Sequence, residues 1–150
     1  MRPNGSAVAR ILIVDDDIAV QATIRILLER AGHSVVVAGD GRRALAVFEA
    51  GDFDLLLLDH FMPGMDGLET MRLIHQQDPL IPVIVISGRP IISIPGEAPE
   101  VPTAATKAGA VRGLQKPFKP AALMAAVADC LEAANPSMAA ITAGLFAAGP

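Results

Sequence analysis

The 150 residues carry 12 Lys and Arg against 16 Asp and Glu, a net charge of −4, and 52% of them are hydrophobic. A chain of this size buries a core as a single domain. The hydrophobic content excludes disorder throughout, and the acidic balance without a basic run argues against nucleic acid as a direct partner. The single cysteine, Cys130, cannot close an internal disulfide. In its apolar helical setting it reads as a small buried hydrophobe in a reducing cytoplasm.

The opening MRPNGSAVAR lacks the apolar centre of a signal peptide. No stretch supplies the ~18 apolar residues of a membrane-spanning helix. The expectation is a cytoplasmic protein without a membrane partner, with residues 1–8 as a disordered N-terminal extension, a domain over 9–134, and 135–150 as a tail or weak extra helix.

Three apolar blocks are continuous rather than alternating: ILIV at 11–14, LLLL at 55–58 and VIVI at 83–86. That pattern suits parallel strands covered on both faces. Val35–Ala38 and Ala110–Leu114 complete a set of five. Between the first two strands, Val20, Ile24, Leu27 and Leu28 mark one face of a helix that Gly32 ends. Ala44, Val47 and Phe48 repeat the spacing before Gly51, and Leu68, Met71 and Ile74 before Asp78-Pro79. Leu123, Val127 and Leu131 form a last stripe, opened by Pro120 and closed near Asn135-Pro136. Strand and helix alternate, which predicts an α/β domain with right-handed crossovers.

One segment breaks this rhythm. Residues 88–109 carry prolines at 90, 95, 99 and 102, and proline inside a helix costs about 3 kcal/mol. An irregular Pro-rich loop is expected in place of much of helix four, with at most a short helix near 102–108.

Ligands of open parallel sheets bind beyond the carboxyl ends of the strands. Strand one ends in Asp15, Asp16 and Asp17, strand three in Asp59, strand four in Ser87-Gly88 and strand five in Gln115-Lys116-Pro117. Clustered carboxylates repel one another, and a hard divalent cation relieves that. Magnesium keeps room for phosphate oxygens, so Asp59 is placed to attack phosphorus and become an aspartyl phosphate. Lys116 and Ser87 would then meet the equatorial oxygens, where charge gathers during transfer. Asp17 and Asp66 read instead as helix N-caps, and Met62 and Met65 as packing residues. His33, His60 and His75 have no ligand spacing.

ILIVDDD (11–17), DLLLLDHFMPGMDG (54–67), VIVISG (83–88) and KPF (116–118) together resemble the receiver domain of bacterial two-component response regulators over about residues 9–134. The resemblance implies a flavodoxin-like, doubly wound five-stranded parallel sheet in three α/β/α layers. It implies Asp59 as phosphoacceptor, with Mg2+ (Mn2+ as a substitute) held by Asp15, Asp16, Asp59 and the main-chain oxygen of Phe61. In that reading Asp16 is the direct ligand and Asp15 acts partly through water. Ser87 matches the switch hydroxyl. Lys116 matches the family's lysine, whose following peptide is cis and turns it towards Asp59. A histidine kinase or histidine phosphotransfer protein is the implied donor. The expected protein is a stand-alone regulator that signals by phosphorylation-dependent binding to a protein target, catalysing nothing beyond its own phosphotransfer and dephosphorylation.

Three departures bear on output. Gly113 stands where the family has a large residue three positions before the lysine. Lys116 follows Ser87 by 29 positions, more than the family norm, which suggests the long loop as the switch. Phe61 and Arg89 occupy positions that tune phosphoryl lifetime, and slow hydrolysis is expected. Constitutive protein binding is one alternative. A second is dinucleotide binding by Gly39-Asp40-Gly41-Arg42-Arg43-Ala44, a G-x-G-x-x-A run after a strand, for which the simpler account is a tight turn into helix two.

Overall fold

The computed structural model describes residues 8–60, 62, 64–88 and 112–134. The expected N-terminal extension before Val8, the main-chain oxygen of Phe61, Arg89, the Pro-rich loop beyond Gly88 and the tail 135–150 all lie outside the described residues.

The elements follow in the order β1 (Arg10–Val14), α1 (Ile18–Arg30), β2 (Ser34–Ala38), α2 (Gly41–Ala50), β3 (Leu55–Asp59), α3 (Gly67–Gln77), β4 (Val83–Ser87), β5 (Arg112–Gln115) and α4 (Pro120–Ala134). The strands form one sheet in the order β2-β1-β3-β4-β5, with every pairing parallel. This is the flavodoxin-like doubly wound arrangement.

The unbroken apolar runs follow from burial on both faces. Leu56 and Leu58 join Leu12, Val14, Val83 and Val85 against Ala44 and Phe48 of α2 and Met71 and Ile74 of α3. Leu55 and Leu57 point the other way, with Ile11, Ile13, Ile84 and Ile86, against Ile24 and Leu28 of α1 and Leu123, Val127 and Cys130 of α4. All four leucines of β3 are fully buried, each contributing about 1.5–3 kcal/mol of transfer free energy. Alternation thus exists in direction but not in polarity, because neither face meets water.

Local signals set the helix ends. Asp17 accepts from Ala19 N–H and Val20 N–H, Asp40 from Arg43 N–H, and Asp66 from Glu69 N–H, so each caps its helix. Gly32 ends α1 with a left-handed φ of 95°. Its N–H donates to Glu29 O and that of His33 to Leu28 O, the paired bonds of a Schellman turn.

One expectation needs correction. Strand five runs from Arg112 to Gln115 rather than ending at Leu114, because Ser87 of β4 extends the pairing to Gln115; Ala110 and Val111 lie outside the described residues. Gly39 and Gly41 lead into α2 without a left-handed backbone, since among the described residues only Gly32 and Gly64 have positive φ. A Cβ at Gly41 would lie 2.3 Å from Thr70 Oγ1 and 3.0 Å from Met65 Sδ, so the residue is small to let α2 start against α3.

Candidate functional site

Register decides what meets at the carboxyl edge. Val14 pairs with Leu58 and Asp59 with Ile86, so Asp15 and Asp59 leave neighbouring strand tips side by side. Ser87 pairs with Gln115, and Lys116 N–H donates to Ser87 O at 2.7 Å, which carries the row on to β5. Asp15, Asp59 and Ser87 are buried, while Asp16 is exposed.

One carboxylate oxygen from each of Asp15, Asp16 and Asp59 lies within 4.8 Å of the others. Lys116 Nζ sits 2.9 Å from Asp15 Oδ2 and 3.5 Å from Asp59 Oδ2. The sequence pointed Lys116 at Asp59; the structure has it bridging both acids and closer to Asp15. An ammonium between two buried carboxylates offsets the repulsion that a single pairing would leave. Burial works against the charge on Lys116, but the hydrogen bond to Asp15 and the charges of Asp15 and Asp59 outweigh it, holding its pKa above the ordinary lysine value. The Lys116–Pro117 peptide is cis.

The donor set suits a hard cation: three carboxylates, oxygen only. The two oxygens of Asp15 are already engaged, Oδ1 by Asp17 N–H at 2.8 Å and Oδ2 by Lys116. Asp16 carries no hydrogen bond among the described residues. A cleft of about 370 Å³ opens beside Lys116, lined by Ala19, Val20, Thr23, Pro117 and Phe118.

Two residues at this edge escaped the sequence reading. Gln21 Nε2 donates to the main-chain carbonyl of Asp15; the available signal was its place at i, i+3, i+7 with Ile24 and Leu28, a polar group on the buried face. Gly67 lies against the backbone of Asp59 and His60 and donates to His60 O at 3.0 Å. Its only signal was a glycine directly after a capping aspartate.

The sequence model of the response regulator receiver domain matches residues 11–128. The chain belongs to that family. Response regulator MprA of Mycobacterium tuberculosis (strain ATCC 25618 / H37Rv) is 37% identical over 131 residues, 87% of this chain and 54% of that protein. MprA of Mycolicibacterium vanbaalenii is 36% identical over 127 residues, 85% and 52% of the two chains. The receiver thus spans about half the length of the curated relatives it matches.

Among solved structures, a CheY-like receiver domain protein from Methanospirillum hungatei superposes with a TM-score of 0.76 at 29% identity, over 87% of this chain and 99% of that one. Chemotaxis protein CheY4 of Vibrio cholerae gives 0.72 at 30%, covering 83% and 100%. NtrX of Brucella abortus gives 0.78 at 30%, covering 87% of this chain and 28% of that protein.

Phosphoryl acceptance from histidine kinases and Mg2+ binding are general to receivers, which are not a conventional enzyme family. At the rival fingerprint, 39–44, the Asp40 carboxylate takes the Arg43 N–H at the start of α2, where that reading would seat a pyrophosphate. Among the described residues, no helix is long and apolar enough to cross a membrane.

Proposed function

We propose that this receiver accepts a phosphoryl group on Asp59 from the phosphohistidine of a kinase or phosphotransfer protein in the cytoplasm, and that the product binds a protein target differently from the unmodified chain. The observation that carries this is the cup itself. Carboxylates from two different strand tips lie within one ion's reach, and a lysine bridges two of them.

A carboxylate oxygen of Asp59 attacks phosphorus. The P–O bond forms as the P–N bond to the donor imidazole breaks, and the imidazole leaves with the electron pair and takes up a proton. Burial of Asp59 at the end of a rigid strand fixes its direction of attack. Lys116 is within reach of both Asp15 and Asp59, so it can exchange one carboxylate for a phosphoryl oxygen with little movement. The hydroxyl of Ser87, one strand over, donates to another. Asp15, Asp16, Asp59 and the carbonyl of Phe61 would hold Mg2+ or Mn2+, with Asp16 as direct ligand because Asp15 is spoken for by Asp17 and Lys116. The bound ion would neutralise charge on the carboxylates and the transferring oxygens.

Gly113 favours a second reading, constitutive protein binding. It is buried in β5 opposite Val85 and offers no ring to swing. One experiment separates the two: incubation with Mg2+ and a small phosphodonor, read by intact mass. The leading reading expects one phosphoryl group on the wild type, none on Asp59→Asn, and none in the presence of chelator. An unmodified wild type would leave the second reading standing.

A further inference from the structure

We infer that Gln21 is a positioning residue for the acidic cup, acting through the peptide that joins Asp15 to Asp16; this rests on the cation-dependent reading above.

Asp16 is the member of the cup that no described side chain holds. It is exposed, and its carboxylate makes no hydrogen bond among the described residues. Among the described residues its direction is set by its own backbone, which means by the orientation of the Asp15–Asp16 peptide. That peptide lies where sheet geometry stops. The N–H of Asp15 still donates to Ala38 O at 3.2 Å, but β1 has ended at Val14 and α1 begins only at Ile18.

The carbonyl of the Asp15–Asp16 peptide accepts its hydrogen bond from Gln21 Nε2. A peptide is planar, so holding this oxygen fixes the plane and with it the bond leading to the Asp16 Cα. The next peptide is fixed by Asp17 N–H donating to Asp15 Oδ1 at 2.8 Å.

Gln21 is well anchored for this task. Its own N–H donates to Asp17 O at 3.0 Å, and it shares a helix face with Ile24 and Leu28, both fully buried. On the far side, Gly39 leaves the amide room, since even an added Cβ there would stand 4.0 Å from Nε2. Rooted on α1, the side chain reaches back to the tip of β1 and ties helix to acidic turn.

Groups that orient metal ligands without touching the metal commonly change affinity by 10–100-fold when removed. The test is Mn2+ binding followed by electron paramagnetic resonance, with Mn2+ as the sole added ligand. Gln21→Leu and Gln21→Met keep the bulk of the side chain and remove its donor, and two variants guard against one that does not fold. Each should bind Mn2+ about tenfold more weakly than wild type. The loss should vanish in an Asp16→Asn background, because the effect runs through that carboxylate. With saturating Mg2+, phosphorylation by a small donor should return close to the wild-type rate.

Unchanged Mn2+ affinity in the variants overturns the inference. So does a tenfold loss that persists beside Asp16→Asn, which would give Gln21 a merely structural role. If instead the wild type and Asp16→Asn bind Mn2+ alike, it is the underlying reading of the cup that fails.

Discussion

Replacing Gly67 with alanine sets two effects against each other. Helix propensity alone favours alanine over glycine by about 1 kcal/mol, less at the first residue of a helix. Packing opposes it. A Cβ at Gly67 would stand 2.2 Å from Asp59 O, 2.8 Å from His60 Cα and 2.9 Å from Asp59 C. All three atoms are backbone, so no side chain can rotate aside. That stretch is also pinned, since His60 N–H donates to Ile86 O at 2.8 Å. Either α3 withdraws by about an ångström or the tip of β3 deforms. Overpacking costs about 1–3 kcal/mol, and loss of the Gly67 N–H bond to His60 O adds about 1 kcal/mol. The net prediction is a loss of about 2–3 kcal/mol. Urea unfolding followed by far-ultraviolet circular dichroism measures it, the chain having no Trp or Tyr. Gly64→Ala is the contrast: it meets nothing within 4 Å but has a φ of 78°, so it should cost about 1–2 kcal/mol from backbone strain. A Gly67→Ala protein as stable as wild type would refute the reasoning, because propensity would then have outweighed the contact. Since the clash is with Asp59 itself, donor labelling of the variant should fall as well.

Two further predictions concern titration. His33 is held below the ordinary histidine pKa by burial, against an opposing pull from Asp54, and its Nδ1 accepts from Ala9 N–H at 3.0 Å, which only the neutral ring can do. The folded state therefore binds this proton less readily than the unfolded chain. The stabilisation is complete above the unfolded value near 6.5 and is lost as pH falls through the folded pKa. Unfolding midpoints measured from pH 7.5 down to about pH 5 should drop more for wild type than for His33→Gln; parallel profiles would count against it. Cys130 is buried, and burial is the largest cause pushing its pKa up to about 11. A thiol reagent near pH 8 should label it only once urea unfolds the chain, and fast labelling of the folded protein would contradict the packing of α4.

Much of the fold could be read from the chain alone, because a sheet covered on both faces leaves unbroken apolar runs. ILIV, LLLL and VIVI needed no partner to be recognised, and the caps Asp17 and Asp66 are local features of their own helices. The acids of the cup were legible for the same reason: they stand at the ends of the apolar runs, Asp15 and Asp16 after ILIV and Asp59 after LLLL. Strand five was less legible, since Arg112 and Gly113 carry no apolar signal and the pairing with β4 sets its end.

What the sequence determined by itself was the elements and the kind of group at each strand tip. What only tertiary structure decided was proximity. The order β2-β1-β3-β4-β5 puts Asp15 beside Asp59 and brings Lys116 to both, drawing it closer to the acid that composition gave no reason to prefer. The same holds for Gln21 and Gly67, which act on backbone atoms of residues six and eight positions away. A backbone carbonyl has no identity in sequence, so which side chain it needs, or cannot tolerate, appears only when the chain has folded around it.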